Sequence, residues 1–257
     1  TNAPEELSSV FLTGGNAKRL AAQLASMRGA AMKVGQLLSL EGDDLLPPEV
    51  ADAFAILRAD ADAMPEKQLR VMMEEAYGAD WESLFETFDP QPIAAASIGQ
   101  VHQARGRDGR LLALKVQYPG IRESIDSDID NLAAALKLAR ILPGGFDFSE
   151  WIALAKEQLR AESDYEHEAQ CLETYRSLMA DEPECVVPGV DFELTRPTVL
   201  AMDYLHGKPL EEMCGPDCPQ EERDRVGRLL LQLLMKELFE VRYVQSDPNF
   251  SNFLLLP

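Results

Sequence analysis

One lysine inside an apolar run constrains this chain more than any other feature. Residues 111–116 read Leu-Leu-Ala-Leu-Lys-Val, and Lys115 is the only charge among them. A run this apolar predicts a buried strand over residues 111–117. A lysine between buried neighbours needs an anionic partner, and nucleotide phosphates with a helix glutamate can provide one. The alternative is a lysine on the solvent face of a half-buried strand.

The chain before this strand is predicted to be helical. Apolar residues recur at steps of three and four over residues 17–41, and a short helix is predicted after Pro47-Pro48. A third helix is predicted from Pro65, with Gly78 just past its end. Residues 1–87 are therefore interpreted as a helical N-terminal unit.

The period changes near residue 88. Residues 88–93 and 100–104 look extended, and Arg107-Asp108-Gly109 is a turn signal that leads into the strand of Lys115. These features predict a hairpin. Residues 88–205 are interpreted as a kinase-like N-terminal lobe, and residues 206–257 as the beginning of a C-terminal lobe.

The elements after the hairpin follow the order of a protein-kinase fold, which is an α+β fold. The expected elements are a helix over 121–141, a long helix capped by Ser149 and ending near 179, strands over 185–190 and 198–202, a linker over 203–208, and a helix over 219–243. The last helix is expected to bury Val226, Leu229, Leu230, Leu233, Leu234 and Leu238.

The loop of the hairpin is built from small residues. It reads Ala94-Ala95-Ala96-Ser97-Ile98-Gly99-Gln100-Val101, where a kinase phosphate loop has G-x-G-x-x-G-x-V. Alanine replaces the first two glycines, whereas Gly99 and Val101 match the pattern. Backbone N–H groups of such a loop can lie over phosphates, although alanine tolerates fewer backbone conformations. The alternative is an ordinary hairpin turn.

A polar loop follows the last helix and has the Asp-x4-Asn spacing of a kinase catalytic loop. It runs from Asp247 to Asn252, and Gln245 replaces the usual histidine. In kinases the aspartate orients or deprotonates the attacking hydroxyl, and the asparagine binds a metal ion. The alternative is a polar turn, because turns are rich in these residue types.

The long helix after residue 149 offers several acidic partners for Lys115. They are Glu157, Glu162, Asp164, Glu166 and Glu168. Asp164 and Glu168 are four residues apart and share a helix face. Glu162 lies about 120° around the helix from Glu168, so the two are expected to have different partners. The alternative is that all five acids face solvent.

Composition excludes some functions. The 257 residues carry a formal net charge of -20, which argues against general nucleic-acid binding. The four cysteines lack the spacing of a metal site and are expected to be reduced thiols of an intracellular protein. No run of apolar residues is long enough for a transmembrane helix.

Four motifs together resemble the UbiB family of atypical kinase-like proteins, which supports ubiquinone biosynthesis. Lys33-Val34-Gly35-Gln36 matches its KxGQ motif, and Glu162-Ser163-Asp164 matches its ExD motif. The loop of Ala94 to Ser97 matches its alanine-rich loop, and the segment from Gln245 to Phe253 resembles its catalytic loop. The likeness is nearest to the mitochondrial-type branch and its bacterial relatives.

The resemblance implies a role for each matching residue. Lys33, Gly35 and Gln36 would lie over the nucleotide pocket, with Lys33 paired to Glu162 and Asp164. Glu168 would pair with Lys115, Asp247 would be catalytic and Asn252 would bind Mg²⁺. The residues implied to contact ATP or ADP are Ala94, Ala95, Ala96, Ser97, Gly99, Val101, Lys115 and Met202.

The resemblance also implies ATPase activity, ubiquinone-precursor lipids and ubiquinone-biosynthesis proteins as partners, and peripheral membrane contact. The implied location is the bacterial cytoplasm or membrane surface, or the matrix side of mitochondria. The alternatives are a non-catalytic nucleotide-sensing or lipid-binding scaffold, a conventional protein kinase and a small-molecule kinase. Ala94, Ala96 and the KxGQ helix argue against a conventional protein kinase.

One departure from the family concerns the C-terminal lobe. Kinases carry a D-F-G-type aspartate after the catalytic loop, and the five residues after Asn252 contain none. We therefore expect an incomplete C-terminal lobe, little or no activity in this chain, and an exposed apolar face on the helix over 219–243.

Overall fold

The computed structural model describes residues 64–138, 148–210, 213, 215, 218–245 and 250–257. Several predictions concern residues outside these ranges and stay predictions. They are the helices over 17–41 and after Pro47, the motif residues Lys33, Gly35 and Gln36, and the loop residue Asp247.

The main sheet has four antiparallel strands in the order β1–β2–β3–β4. Their bounds are β1 (Phe85–Ala95), β2 (Gly99–Gly106), β3 (Leu111–Gln117) and β4 (Val199–Asp203). The predicted hairpin and the strand of Lys115 are confirmed. The pairing of β1 with β2 shifts register between Phe88 and Pro92, where proline cannot donate to the ladder.

Alternation along β3 gives the sheet two different faces. Leu112, Leu114 and Val116 point to a core in which they are fully buried, whereas Lys115 points to the opposite face. Helix α1 (Glu66–Tyr77) covers the core face with its own buried apolar residues. This helix begins after Pro65 and ends at Gly78, as predicted, and Gly78 has a φ of 89° that favours glycine.

Three helices follow β3, where two were predicted. They are α2 (Ile121–Leu138), α3 (Phe148–Glu162) and α4 (Tyr165–Leu178). The prediction of one long helix from Ser149 to residue 179 is wrong, because the chain leaves the helix at Ser163 and Asp164. Asp164 then caps α4, with its side chain accepting a hydrogen bond from the backbone N–H of His167 at 3.2 Å.

The predicted strand over residues 185–190 is also wrong. Only Val190 pairs, in a single bridge with Met202 at the end of β4. Pro188 lacks the N–H that a ladder requires, and the N–H of Gly189 donates to the side chain of Asp203 at 3.0 Å. The segment therefore lies beside β4 without becoming a strand.

The predicted C-terminal helix changes its winding near its end. Helix α5 (Gln220–Met235) continues as a π-helix (Lys236–Val241), and Arg242 stops it with a left-handed φ of 55°. Two short strands, β5 (Lys208–Pro209) and β6 (Leu254–Leu255), form a separate small sheet. Short 3₁₀ helices occupy Trp81–Leu84 and Phe250–Asn252.

The apolar residues of this last helix are less buried than predicted. Val226 is buried, whereas Leu234 and Leu238 are 41% and 44% exposed. An apolar face, formed by Leu231, Leu234, Met235, Leu238 and Phe239, is open to solvent. The exposed face is thus as expected, but the burial predicted for Leu234 and Leu238 is wrong. Among the residues that the structure describes, no helix is long and apolar enough to span a membrane.

Candidate nucleotide site

The face of the sheet opposite α1 carries a partly buried ion pair. The ammonium Nζ of Lys115 lies 2.8 Å from Oε1 and 3.1 Å from Oε2 of Glu168, on α4. The Lys115 side chain is 14% exposed and that of Glu168 is 32% exposed. Lys115 therefore has the anionic partner that its apolar strand required, and the pairing is the one expected from the motif positions.

The ring of Tyr165 packs against this ion pair. Its centroid lies 4.8 Å from the ammonium of Lys115, within the range of a cation–π contact. The residue is fully buried. Burial raises the pKa of its hydroxyl well above the ordinary value, with the nearby carboxylates of Glu168 and Glu162 adding to the rise. Sequence reasoning did not identify Tyr165 as a site residue.

A buried hydrogen bond fixes the start of α4 relative to β3. The side-chain amide of Gln117, two residues after Lys115, donates to the backbone carbonyl of Ser163 at 2.7 Å. Gln117 and Ser163 are 1% and 3% exposed. Because Ser163 lies at the break between α3 and α4, this bond fixes the start of α4 and hence the position of Glu168. A polar residue in a buried strand was a signal for this role that sequence reasoning missed.

Several other predicted site residues share the face of Lys115. Ala94 pairs with Val101, Val101 pairs with Lys115, and Lys115 pairs with Leu200 across the sheet. Directly paired residues of antiparallel strands project to the same face. Met202 is two residues from Leu200 on β4, so it projects to that face as well. Ala94, Val101, Lys115 and Met202 thus form one continuous surface.

The alanine-rich loop turns tightly between β1 and β2. The backbone N–H of Ala96 donates to the carbonyl of Gly99 at 2.9 Å, and Ile98 is fully buried beneath the turn. Ala94 and Ala95 are exposed, whereas Ala96 and Ser97 are half-buried. The loop therefore presents small side chains at the edge of the Lys115 face.

The loop is joined to the end of α3 by a side-chain contact. The hydroxyl of Ser97 donates a hydrogen bond to Oε1 of Glu162. Glu162 and Glu168 were expected to have different partners, and they do, since Glu168 contacts Lys115. The reason differs from the one predicted, because the break at Ser163 and Asp164 places the two glutamates on separate helices. Asp164 caps α4 rather than extending a shared helix face.

The predicted metal ligand Asn252 lies among the described residues. Among residues 64–138, 148–210, 213, 215, 218–245 and 250–257, no group of three or more His, Cys, Asp or Glu side chains could hold an ion. Asn252, the predicted metal ligand, is exposed at the end of a 3₁₀ helix. Mg²⁺ at nucleotide sites is usually held by one or two protein ligands together with waters and substrate phosphates, so such a site does not require a cluster of three protein ligands.

This chain is similar to known proteins in sequence and in fold. Residues 56–257 match the ABC1 atypical kinase-like domain. The chain is 44% identical to the atypical kinase coq-8, mitochondrial, of Caenorhabditis elegans, over 95% of this chain and 32% of that protein. It is 43% identical to the atypical kinase COQ8B, mitochondrial, of Rattus norvegicus, over 97% of this chain and 47% of that protein.

Two further comparisons agree. The chain is 37% identical to the atypical kinase COQ8, mitochondrial, of Saccharomyces cerevisiae, over 96% of this chain and 49% of that protein. The solved structure of Rv3197 from Mycobacterium tuberculosis in complex with erythromycin aligns with a TM-score of 0.64 and 29% identity, covering 99% of this chain and 64% of that one. The chain therefore spans about a third to a half of these curated relatives.

Proposed function

This chain belongs to the ABC1 atypical kinase-like family, which confirms the resemblance to UbiB proteins, and from that membership we propose that the face around Lys115 binds ATP or ADP. The observation that carries the proposal is the ion pair of Lys115 with Glu168, at 2.8 Å. In kinases the equivalent pair orients the lysine toward the nucleotide phosphates.

In this proposal, different surrounding residues contact the base and the phosphates of the nucleotide. Ala94, Val101 and Met202 supply an apolar surface for the base, next to Lys115 on the same face of the sheet. Ala95, Ala96, Ser97 and Gly99 lie near the phosphates, where backbone N–H groups can donate. Such pockets are mostly apolar with a few well-placed polar groups.

We further propose that the protein hydrolyses ATP. Asp247 would orient the attacking water, and Asn252 would be one ligand of the Mg²⁺ that accompanies the nucleotide. Lys33, Gly35 and Gln36 would cover the pocket, with Lys33 facing Glu162 and Asp164. The metal would neutralise phosphate charge when bound.

The cellular role in this proposal is support of ubiquinone biosynthesis, on the matrix side of mitochondria or at a bacterial membrane. The relatives named above are mitochondrial atypical kinases. Ubiquinone-precursor lipids and ubiquinone-biosynthesis proteins are the proposed partners, with peripheral membrane contact. Because the chain covers about a third to a half of those relatives, these roles concern the complete protein.

The test is Mg²⁺-dependent thermal stabilisation by ATP and ADP in the wild type, Lys115→Ala and Lys156→Ala. Lys156 is a matched control, because it is 18% exposed and pairs with Asp130 at 2.7 Å, away from the site. Nucleotide at 100 times Kd stabilises the folded state by about 2.7 kcal/mol, or roughly 5–10 °C for a chain of this size. The shift should persist in Lys156→Ala and vanish in Lys115→Ala.

A second candidate is a scaffold that binds nucleotide without turning it over. The contact of Ser97 with Glu162 favours it, because the carboxylate at the tip of the loop would repel the terminal phosphate and oppose its placement for hydrolysis, while the apolar surface for the base stays free. Nucleotide-induced stabilisation of the wild type without phosphate release would support the scaffold. Stabilisation and phosphate release in the wild type that are both lost in Lys115→Ala would support the ATPase. An absence of stabilisation in the wild type would refute both.

A further inference from the structure

A second contact, which is partly buried, joins α4 to the π-helix. The hydroxyl of Tyr175 donates to Oε1 of Glu237 at 2.6 Å, between residues 62 positions apart. Glu237 is 4% exposed. Burying a carboxylate is costly unless it is hydrogen-bonded, so Glu237 is held in this position by Tyr175. Burial and this hydrogen bond together raise the pKa of the Tyr175 hydroxyl.

Neighbouring contacts reinforce this connection. Lys236, the residue before Glu237, pairs with Glu182 just after α4 at 2.9 Å. The ring of Tyr243 lies 6.5 Å from the ring of Tyr175, and the N–H of Tyr243 donates to the carbonyl of Glu237 at 3.1 Å. We call the contacts of Tyr175, Glu182, Lys236, Glu237 and Tyr243 the joint.

The joint lies on the same helix as the ion pair of the site. Tyr175 follows Glu168 by seven residues on α4, which is almost two helical turns and about 10 Å along the axis. The two side chains therefore project from nearly the same side of α4, Glu168 toward Lys115 and Tyr175 toward Glu237. A shift or tilt of α4 that breaks one contact moves the residue that makes the other.

The π-helix gives the joint a defined geometry. π-Turns are rare and occur frequently at functional sites. Here Lys236 and Glu237, adjacent in sequence at the start of the π-helix, contact Glu182 just after α4 and Tyr175 on α4 respectively. The left-handed Arg242 then ends the helix, and the chain runs on toward the Asp-x4-Asn loop.

We propose that Tyr175 and Glu237 are positioning residues that set the placement of α4 and so hold Glu168 against Lys115. The joint then couples the ion pair to the segment that enters the polar loop. The inference rests on the proposed function only for the purpose of the ion pair, because the effect on the pair itself can be measured without nucleotide.

The test measures acetylation of Lys115 by limiting sulfo-NHS-acetate, with peptide mapping by mass spectrometry. A lysine held by a carboxylate and shielded from solvent reacts slowly, and Glu168→Gln provides the rate for a released pair. Tyr175→Phe and Glu237→Ala should raise the Lys115 rate at least about threefold, within the coupling range of residues that share a network. Glu237→Gln keeps an acceptor for the tyrosine and should react as the wild type.

Two controls separate positioning from general loosening. Tyr77→Phe removes a comparable hydroxyl, which donates to the carbonyl of Leu194 at 2.5 Å on the core face of the sheet, and should leave Lys115 unchanged. Lys156, paired with Asp130, serves as an internal reference in every digest. Melting temperatures ensure that all variants are folded at the temperature of the reaction.

The possible results are decisive. Wild-type acetylation of Lys115 in both Tyr175→Phe and Glu237→Ala would overturn the inference. So would an equal rise at Lys156, or an equal effect of Tyr77→Phe, because either would indicate a loss of stability without specific positioning. If the wild type binds no nucleotide, the proposed function fails, while the acetylation rates still decide the role of the joint.

Discussion

Gly99 lies directly against the backbone of Val116. A Cβ built on Gly99 would overlap the carbonyl of Val116, whose carbon would stand 3.0 Å away. Gly99 opens β2 and pairs with Gln117 on β3. This glycine matches the third glycine of a phosphate loop in sequence, but in this structure it is required by the close approach of two strands.

We predict that Gly99→Ala destabilises the protein by about 1–3 kcal/mol, the usual cost of forcing extra atoms into a packed region. Gly227→Ala is the control, because Gly227 lies inside α5 with open space around it. Alanine should stabilise that helix by about 0.5–1 kcal/mol. Urea unfolding measures both values, and equal stability of the two variants would contradict the packing argument.

For the hydroxyl group of Tyr165, in contrast to Gly99→Ala, we predict that its removal does not destabilise the protein. Its oxygen is buried and has no hydrogen-bond partner among the residues that the structure describes. A buried polar group without a partner costs about 1–3 kcal/mol. Tyr165→Phe should therefore leave the free energy of unfolding unchanged or raise it by up to about 1 kcal/mol, while keeping the ring beneath Lys115.

Tyr175→Phe should behave differently from Tyr165→Phe, because the hydroxyl of Tyr175 donates a hydrogen bond to Glu237. Its loss should cost about 1–3 kcal/mol, since an acceptor is left buried. Both variants remove one oxygen atom from a tyrosine on α4, so their difference in urea unfolding isolates the hydrogen bond. A loss in Tyr165→Phe as large as that in Tyr175→Phe would contradict the prediction.

His102 lies on β2, is fully buried, and uses both ring nitrogens in hydrogen bonds. The amide of Gln100 donates to Nε2 at 2.8 Å, so Nδ1 carries the proton and donates to the carbonyl of Asp89 at 2.9 Å. Burial lowers the pKa of His102, although the bond to Asp89 opposes the change. The folded state therefore favours the neutral ring.

The sign of the resulting pH dependence follows from linkage. Below about pH 6.5 the unfolded chain binds a proton at this histidine that the folded state resists. The stability contributed by His102 is present above the unfolded pKa and decreases as pH falls toward the folded pKa, by up to about 1.4 kcal/mol per pH unit.

We expect the free energy of unfolding to fall less in His102→Gln than in the wild type when the pH is lowered from about 7.5 to about 5.5. This range spans the ordinary histidine pKa of about 6.5. Glutamine can accept from Gln100 and donate to Asp89, so the two hydrogen bonds are preserved. Identical slopes in the two proteins would show that His102 contributes nothing to this dependence.

For some helices and strands, local sequence signals predicted the first and last residues correctly. Pro65 and Gly78 mark the two ends of α1, because proline suits a helix start and glycine accepts the positive φ that follows the helix. The strand of Lys115 was predicted with its exact bounds, since its apolar run ends at turn-forming residues. In both cases the information lies within a few residues of the element.

The break between α3 and α4 was missed although a local signal existed. Asp164 is a favourable N-cap, and Glu166 and Glu168 in the first turn complement the helix dipole. The polar Gln117 in a buried strand signalled a polar partner, but neighbouring residues did not identify Ser163 as that partner, nor Glu237 as the partner of Tyr175. The partners are 46 and 62 residues apart, and only the folded chain brings them together.

The contact of Ser97 with Glu162 yields a prediction for the alanine-rich loop. The hydroxyl and the carboxylate are part-buried and come from segments 65 residues apart. A hydrogen bond to a charged group contributes about 1.5–3 kcal/mol to stability. Ser97→Ala should therefore cost about 1–2 kcal/mol, because partial exposure weakens the bond.

A double-mutant cycle with Ser97→Ala and Glu162→Ala isolates this bond from the other interactions of Glu162. We expect a coupling energy of about 1–2 kcal/mol from urea unfolding. Ser177→Ala is the control, because its exposed hydroxyl only donates to the carbonyl of Glu173 within α4 and its removal should cost less than about 0.5 kcal/mol. Hydrogen exchange at the amide of Ala96, which bonds to Gly99, should accelerate in Ser97→Ala and in Glu162→Ala but not in Ser177→Ala. A coupling near zero with unchanged exchange would mean that the loop is held by its backbone, without help from Glu162.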